Sequence, residues 1–182
     1  MVEEKKEKWL NYLALATVIF AVCATLSTFK GGGYSTRSVL AQSQASDQWS
    51  YYQAKSIKGY LYDLQKEKLE LEMKTSGAKM PKMLAEEYQK KIDSYSKKIK
   101  KYDDEKKEIE QEARKFEIVK NDAQKHSQAF GMAVIFLQIA ILLSSIAALM
   151  KRRVVWILGL AVGVVGLVFF VNGFFPFIKI VS

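Results

Sequence analysis

The sequence predicts an all-α integral membrane protein with three transmembrane helices. A long extramembrane antiparallel helical hairpin, a coiled coil, is expected between spans one and two. Three observations carry this expectation. Apolar residues make up 49% of the chain and charged residues 26%. The two kinds are segregated, with charges crowded between residues 30 and 128, whereas a soluble domain mixes them because each element needs one apolar and one polar face. Three runs, residues 9–29, 129–150 and 154–175, contain no Asp, Glu, Lys or Arg and are long enough to cross a bilayer. The region between the first two runs has helical periodicity and one turn signal, Thr75-Ser76-Gly77-Ala78.

The organisation read from this is a charged lead and first span over 1–29, a helical hairpin over 30–128 with its turn near 75–80, and two further spans with a short tail over 129–182. The lead, residues 1–8, has three lysines and three glutamates. The 21 residues from 9 to 29 reach about 31 Å as a helix, the thickness of a hydrocarbon core. Trp9 and Tyr12 sit at one edge, where amphipathic rings favour the interface. A secretory signal peptide cut after Ala24 is the competing reading, against which stand the length of the run and the half-acidic lead. Lys30-Gly31-Gly32-Gly33 is expected to break this helix, because three glycines carry a high backbone entropy cost.

From Ser35 to Lys74 the pattern is helical. Trp49, Tyr52, Ile57, Leu61, Leu64 and Leu71 recur at threes and fours, with one looser step, as apolar positions of a helical arm do. Pro81 suits the first turn of the second arm. There Ile92, Tyr95, Ile99, Tyr102, Lys106, Ile109, Ala113 and Phe116 follow a heptad, with Lys106 its only charge. Glu86/Lys90, Glu87/Lys91, Asp93/Lys97, Asp103/Lys107 and Glu110/Arg114 are acid-to-base pairs at i,i+4. Each contributes a few tenths of a kcal/mol, so the seam must supply the stability. The second arm is expected to run on into the second span, and Lys151-Arg152-Arg153 to turn the chain into the third, which Pro176 closes.

The net charge is +9. Residues 30–125 hold 21 Lys/Arg and 16 Asp/Glu, or +5 of it. The lysines alternate with acids as on a solvated face, so no nucleic-acid partner is expected; the lipid bilayer is the expected surroundings, and lysines near anionic lipid are favourable. Counting short loops places the N-terminus and the Lys151–Arg153 turn in the cytoplasm and the hairpin on the outer face of the cell inner membrane. The margin is six basic residues near span ends (Lys5, Lys6, Lys8, Lys151, Arg152, Arg153) against five (Lys30, Arg37, Lys120, Lys125, Lys179).

No catalytic, cofactor or metal site is expected. His126 is the only histidine and Cys23 the only cysteine, too few for a metal cluster at usual spacings. Asp103-Asp104-Glu105 lies among lysines mid-helix and reads as solvated surface rather than a calcium site. Gly31–Gly33 lacks the Lys-Ser/Thr of a phosphate loop, and no nucleophile elbow occurs.

The candidate residues are therefore for interaction. Gly159 and Gly163, followed by Gly166, form a close-packing signature; Ala140, Ser144 and Ala148 offer a matching small-residue stripe. These faces either pack on each other within the chain or join neighbouring subunits. Gln138 and Asn172 either line a water path or bond a neighbouring helix. Asp47, Trp49, Tyr51, Tyr52, Gln53 and Lys55 form either an aromatic collar packed on the other arm near Phe116 or a docking surface for a protein partner or lipid headgroup, with Asp47 and Lys55 as its polar rim.

Lys8-Trp9 at the opening of the first span, followed by Ser46-Asp47-Gln48-Trp49-Ser50-Tyr51-Tyr52-Gln53-Ala54-Lys55, resembles a bacterial family of uncharacterised membrane proteins, domain of unknown function 4337. The likeness is specific over residues 8–58 and architectural beyond. It implies an integral membrane protein with a charged helical middle and two C-terminal spans, and it implies no activity. The function expected from the residues is a non-enzymatic scaffold or accessory protein, homo-oligomeric through its hairpin and small-residue faces. The alternatives are an oligomeric pore lined by the second or third span and a lipid-binding, membrane-organising role.

Overall fold

The computed structural model describes residues 8–178. The acidic–basic lead, with Lys5 and Lys6, and Lys179 of the tail lie outside the described residues. The chain is helical: α1 (Lys8–Ser76), a short 3₁₀ turn (Gly77–Lys79), α2 (Lys82–Met150) and α3 (Arg153–Phe174). Among the described residues there is no strand. All three α-helices are long and apolar enough to cross a membrane.

The triple glycine does not end the first helix; α1 runs through it. Gly31 is buried, and a Cβ built there would lie 3.0 Å from Cβ of Phe130. Its carbonyl also accepts the Ser127 hydroxyl at 3.1 Å. The glycine is thus a point of close helix approach. A cost of about 1 kcal/mol per helical glycine is borne because helix on both sides makes propagation cooperative.

Both turns use the left-handed region. Gly77 has φ +44°, open to a residue without Cβ. Pro81 stands just before α2 rather than inside its first turn, its carbonyl accepting from Leu84 (3.0 Å) and Ala85 (3.1 Å). After α2, Lys151 has φ 48°. Lys151 N–H bonds Ala148 O and Arg152 N–H bonds Ala147 O, the paired bonds of a Schellman C-cap, with lysine at the position where glycine is usual.

The chain divides into two compact units: one of residues up to Leu40 and from Val119 onward, the other Ala41–Ile118. In the first, Phe20, Ala24, Ala133, Leu137 and Ala140 form one buried cluster. Trp9, Leu13 and Ala147 form another, with Trp9 and Trp156 rings 5.8 Å apart. Much of the outside is apolar too: Leu15, Val22 and Leu26 of α1, Ile135 and Leu142 of α2, and Val164 of α3 are exposed. Such a surface suits a lipid solvent.

In the second unit, residues of α1 meet residues of α2: Trp49 with Glu117, Lys55 with Glu105, and Tyr62 with Lys98. The α2 seam matches its heptad reading. Ile92, Ile109 and Ala113 are buried, and Tyr95, Ile99, Tyr102, Lys106 and Phe116 half-buried. The apolar positions of α1 divide, with Trp49 and Tyr52 half-buried and the rest exposed. Ile57, Leu61, Leu64 and Leu71 are 60%, 55%, 64% and 66% exposed. Besides Trp49 and Tyr52, the buried face of α1 holds Ala41 and Ala45, each 2% exposed, buried Gly59, and half-buried Ser56 and Tyr62. Two apolar stripes share one helix and one partner. The stripe built of small residues lets the backbones approach, and its rings bury more area each than a leucine.

Of the expected surface ion pairs, Glu87–Lys91 (3.4 Å) and Glu110–Arg114 (2.8 Å) are formed. Asp103 turns instead to Lys106 at 2.7 Å.

Candidate functional site

The Ser46–Lys58 stretch lies wholly on α1, so its side chains are sorted by helical phase. Trp49, Tyr52 and Lys55 fall on the side of α2, while Asp47, Tyr51 and Gln53 are exposed. Trp49 Nε1–H donates to Glu117 Oε1 at 2.9 Å, which satisfies the one polar atom of a half-buried indole. Its ring meets Tyr52 edge-on at 5.6 Å, and the Arg114 guanidinium stands 6.0 Å from it. Glu117 and Arg114 are therefore the groups that hold the tryptophan.

Lys55 is the electrostatic centre. Its ammonium donates to Glu105 Oε2 at 2.6 Å and lies 5.1 Å from the Tyr51 ring and 5.4 Å from the Tyr102 ring. The hydrogen bond holds Glu105 below the usual carboxylate range and raises Lys55 above the usual lysine value. Lys101 adds a second cation, 3.8 Å from Glu105. Lys106, next to Glu105 on α2, has a similar setting. Its hydrogen bond to Asp103 raises its pKa, and its ammonium is about 6 Å from the rings of Tyr52 and Tyr60. Lys98 lies 4.6 Å from the Tyr62 ring and donates to the Tyr62 hydroxyl at 3.4 Å. The helices of this unit are joined by lysines laid over tyrosines and, at Lys55, by a carboxylate of the other helix, an arrangement that holds a geometry through cation–π attraction and a charge-assisted hydrogen bond. Lys58, Leu61, Tyr62, Gln65, Tyr95, Lys98 and Tyr102 line an open groove.

The small-residue stripes are both used within the chain. Gly159 faces Ala140, Leu143 and Ser144 of α2, while Gly163 faces the Phe20 ring of α1. Gly166 faces Leu137 and Gly173 faces Phe130. All four glycines are buried, as is Ser144. Gln138 is exposed on the apolar outer face. Asn172 is 1% exposed, and among the described residues its partners are backbone groups of the chain just after α3. Its Oδ1 accepts from the N–H groups of Phe177 (2.8 Å) and Ile178 (2.7 Å), and its Nδ2 donates to Ile178 O at 3.3 Å. It folds the chain back after α3, satisfying groups that Pro176 cannot.

A cluster that periodicity did not single out surrounds His126. Its Nδ1 lies 2.7 Å from Gly173 O, a geometry in which Nδ1–H donates. Tyr34 stacks on the imidazole at 4.5 Å and on Phe130 at 6.0 Å. Phe174 meets Phe130 edge-on at 5.0 Å. A lone histidine, a tyrosine just past the glycines and a glycine near the end of α3 carry no joint signal, because their sequence separations are set by two long helices. Among the described residues no group of three or more His, Cys, Asp or Glu could hold a metal ion.

No curated protein and no solved structure matches the chain. The family model described as Domain of unknown function (DUF4337) matches residues 9–176, and the chain belongs to that family.

Proposed function

We propose that the protein is a non-enzymatic, multi-pass membrane scaffold or accessory subunit. In this reading the apolar helices anchor it, Ala41–Ile118 forms an antiparallel helical hairpin packed as a coiled coil, and the chain assembles with further copies of itself. The observation that carries the reading is that pairing α1 with α2 leaves large apolar side chains of the middle unit, above all those of α1, uncovered. Contiguous apolar surface outside a membrane-facing segment marks an interaction site, and homo-oligomers are the commonest assemblies. The lysine–tyrosine contacts supply rigidity for such a role.

The proposed orientation, which the basic count supports, has the N-terminus and the Lys151–Arg153 turn in the cytoplasm; protease access to a tag on each terminus checks this. Native mass measurement in a mild detergent tests assembly: an oligomeric mass is expected, and a strict monomer removes the reading. The pore alternative loses the support it drew from Asn172, whose amide is occupied by backbone.

A further inference from the structure

The outward apolar residues of α1 are not scattered. Ile57, Leu64 and Leu71 repeat every seven residues, and Leu61 and Lys68 fall between them at the alternate three- and four-residue steps. That is an a/d seam in the heptad sense, on the helix side that α2 does not cover. A shallow groove along it is lined by Leu64, Gln65, Glu67, Lys68 and Leu71. The outer face of α2 offers no counterpart: over residues 82–118 its exposed large apolar side chains are Met83, Leu84 and Ile118.

We propose that this stripe is the contact between two copies of the chain, with α1 of one lying antiparallel against α1 of the other. The inference rests on the oligomeric reading above and names its surface. The flanking charges select both the occupant and the sense of pairing. Lys58, Gln65 and Glu72 flank one side of the seam, and Tyr60, Glu67 and Lys74 the other. In a parallel pair Lys68 opposes Lys68 and Glu67 opposes Glu72, so like charges meet at both seam and flank. In an antiparallel pair Lys58 of each copy opposes Glu72 of the second, Gln65 opposes Gln65, and Lys68 lies against Leu64. Tyr60 opposes Lys74, and Glu67 meets Glu67 of the second copy at the two-fold axis, the one like-charge contact of this arrangement, with Lys68 of both copies beside it. Such flanking pairs set partner and orientation more than they set affinity. Glu72 already lies against Lys68 at 4.0 Å, and a carboxylate has room for a further donor.

The test uses the full-length chain in mild detergent with Cys23→Ser, leaving no native thiol. Chains with Lys58→Cys and Glu72→Cys are co-expressed, distinguished by tag size, and treated with a short bifunctional thiol reagent. The expected result is a crosslinked heterodimer, with little product from either chain alone. In an antiparallel pair, two copies of position 58 are roughly 21 Å apart along the axis. Leu61→Glu with Leu64→Glu is expected to abolish the oligomeric mass and leave helicity unchanged, because both sites are exposed. Self-crosslinking of each single variant overturns the antiparallel pairing. An oligomer that survives the double glutamate change and gives no heterodimer overturns this surface and leaves the oligomeric reading standing on another. A wild-type monomer removes both.

Discussion

Gly163 of α3 lies so close under the Phe20 ring of α1 that a Cβ added to it would collide with three atoms of that ring. The small-residue spacing in α3 is therefore spent on contact with the first helix as well as the second, and the bundle is closed by glycine at that point. Gly163→Ala is expected to destabilise the protein, because overpacking costs about 1–3 kcal/mol against a helix-propensity gain of about 1 kcal/mol. Thermal unfolding in detergent measures it. Phe20→Leu in the same chain should recover part of the loss, and full additivity of the two changes would show that the residues do not touch in solution.

The glycines of α1 divide sharply. A Cβ at Gly32 or Gly33 meets nothing within 4 Å, whereas one at Gly31 meets Phe130. Gly32→Ala is expected to raise stability by up to about 1 kcal/mol. Gly31→Ala should gain less or lose, as Phe130 must shift. Equal effects at the two positions would mean that the close approach at Gly31 is not formed.

Trp49 is tied by its Nε1–H to Glu117. Trp49→Phe keeps most of the ring and removes the donor, which should cost about 1.5–3 kcal/mol for a bond to a charged acceptor, at the lower end because the pair is only half-buried. Glu117→Gln should cost less, since an amide oxygen still accepts. Chemical unfolding of the full chain distinguishes the two.

Stability should depend on pH through Lys55 and Glu105. Glu105 is held below its ordinary 4.5, so its contribution is present above that value and is lost as pH falls from 4.5 through the depressed folded value. Lys55 is raised above its ordinary 10.5, so its contribution is complete below 10.5 and is lost as pH rises through the elevated folded value. Between these limits the pair is intact. Glu105→Gln should flatten the acid limb of a stability–pH profile, and an unchanged acid limb would show that the 2.6 Å contact has no weight in solution.

Several features were legible because a single physical demand governs them. An uncharged run of bilayer length has to be a helix, since lipid offers no partner for backbone groups. The α2 heptad had one apolar face and so one candidate seam, and its positions from Ile92 to Phe116 are buried or half-buried. The turn at Gly77 was visible because glycine alone enters the left-handed region freely. For α1 the apolar pattern did not say which positions turn inward: Trp49 and Tyr52 are half-buried, while Ile57, Leu61, Leu64 and Leu71 are exposed. Hydropathy singles out leucines, but Ala41, Ala45 and Gly59 are the residues most buried there, and the leucines are left outside.

The sequence alone thus determined which segments are apolar, where the chain turns and how its charges are laid out, because these follow from local composition and backbone preference. Only the tertiary structure decided which stripe of α1 turns inward, that Gly31 is a contact rather than a break, that Gly163 receives Phe20, and that Asn172 is consumed by its own backbone. Each of these is a competition for one neighbour between residues far apart in the chain, and close approach of two helices is settled by shape, to which periodicity is blind.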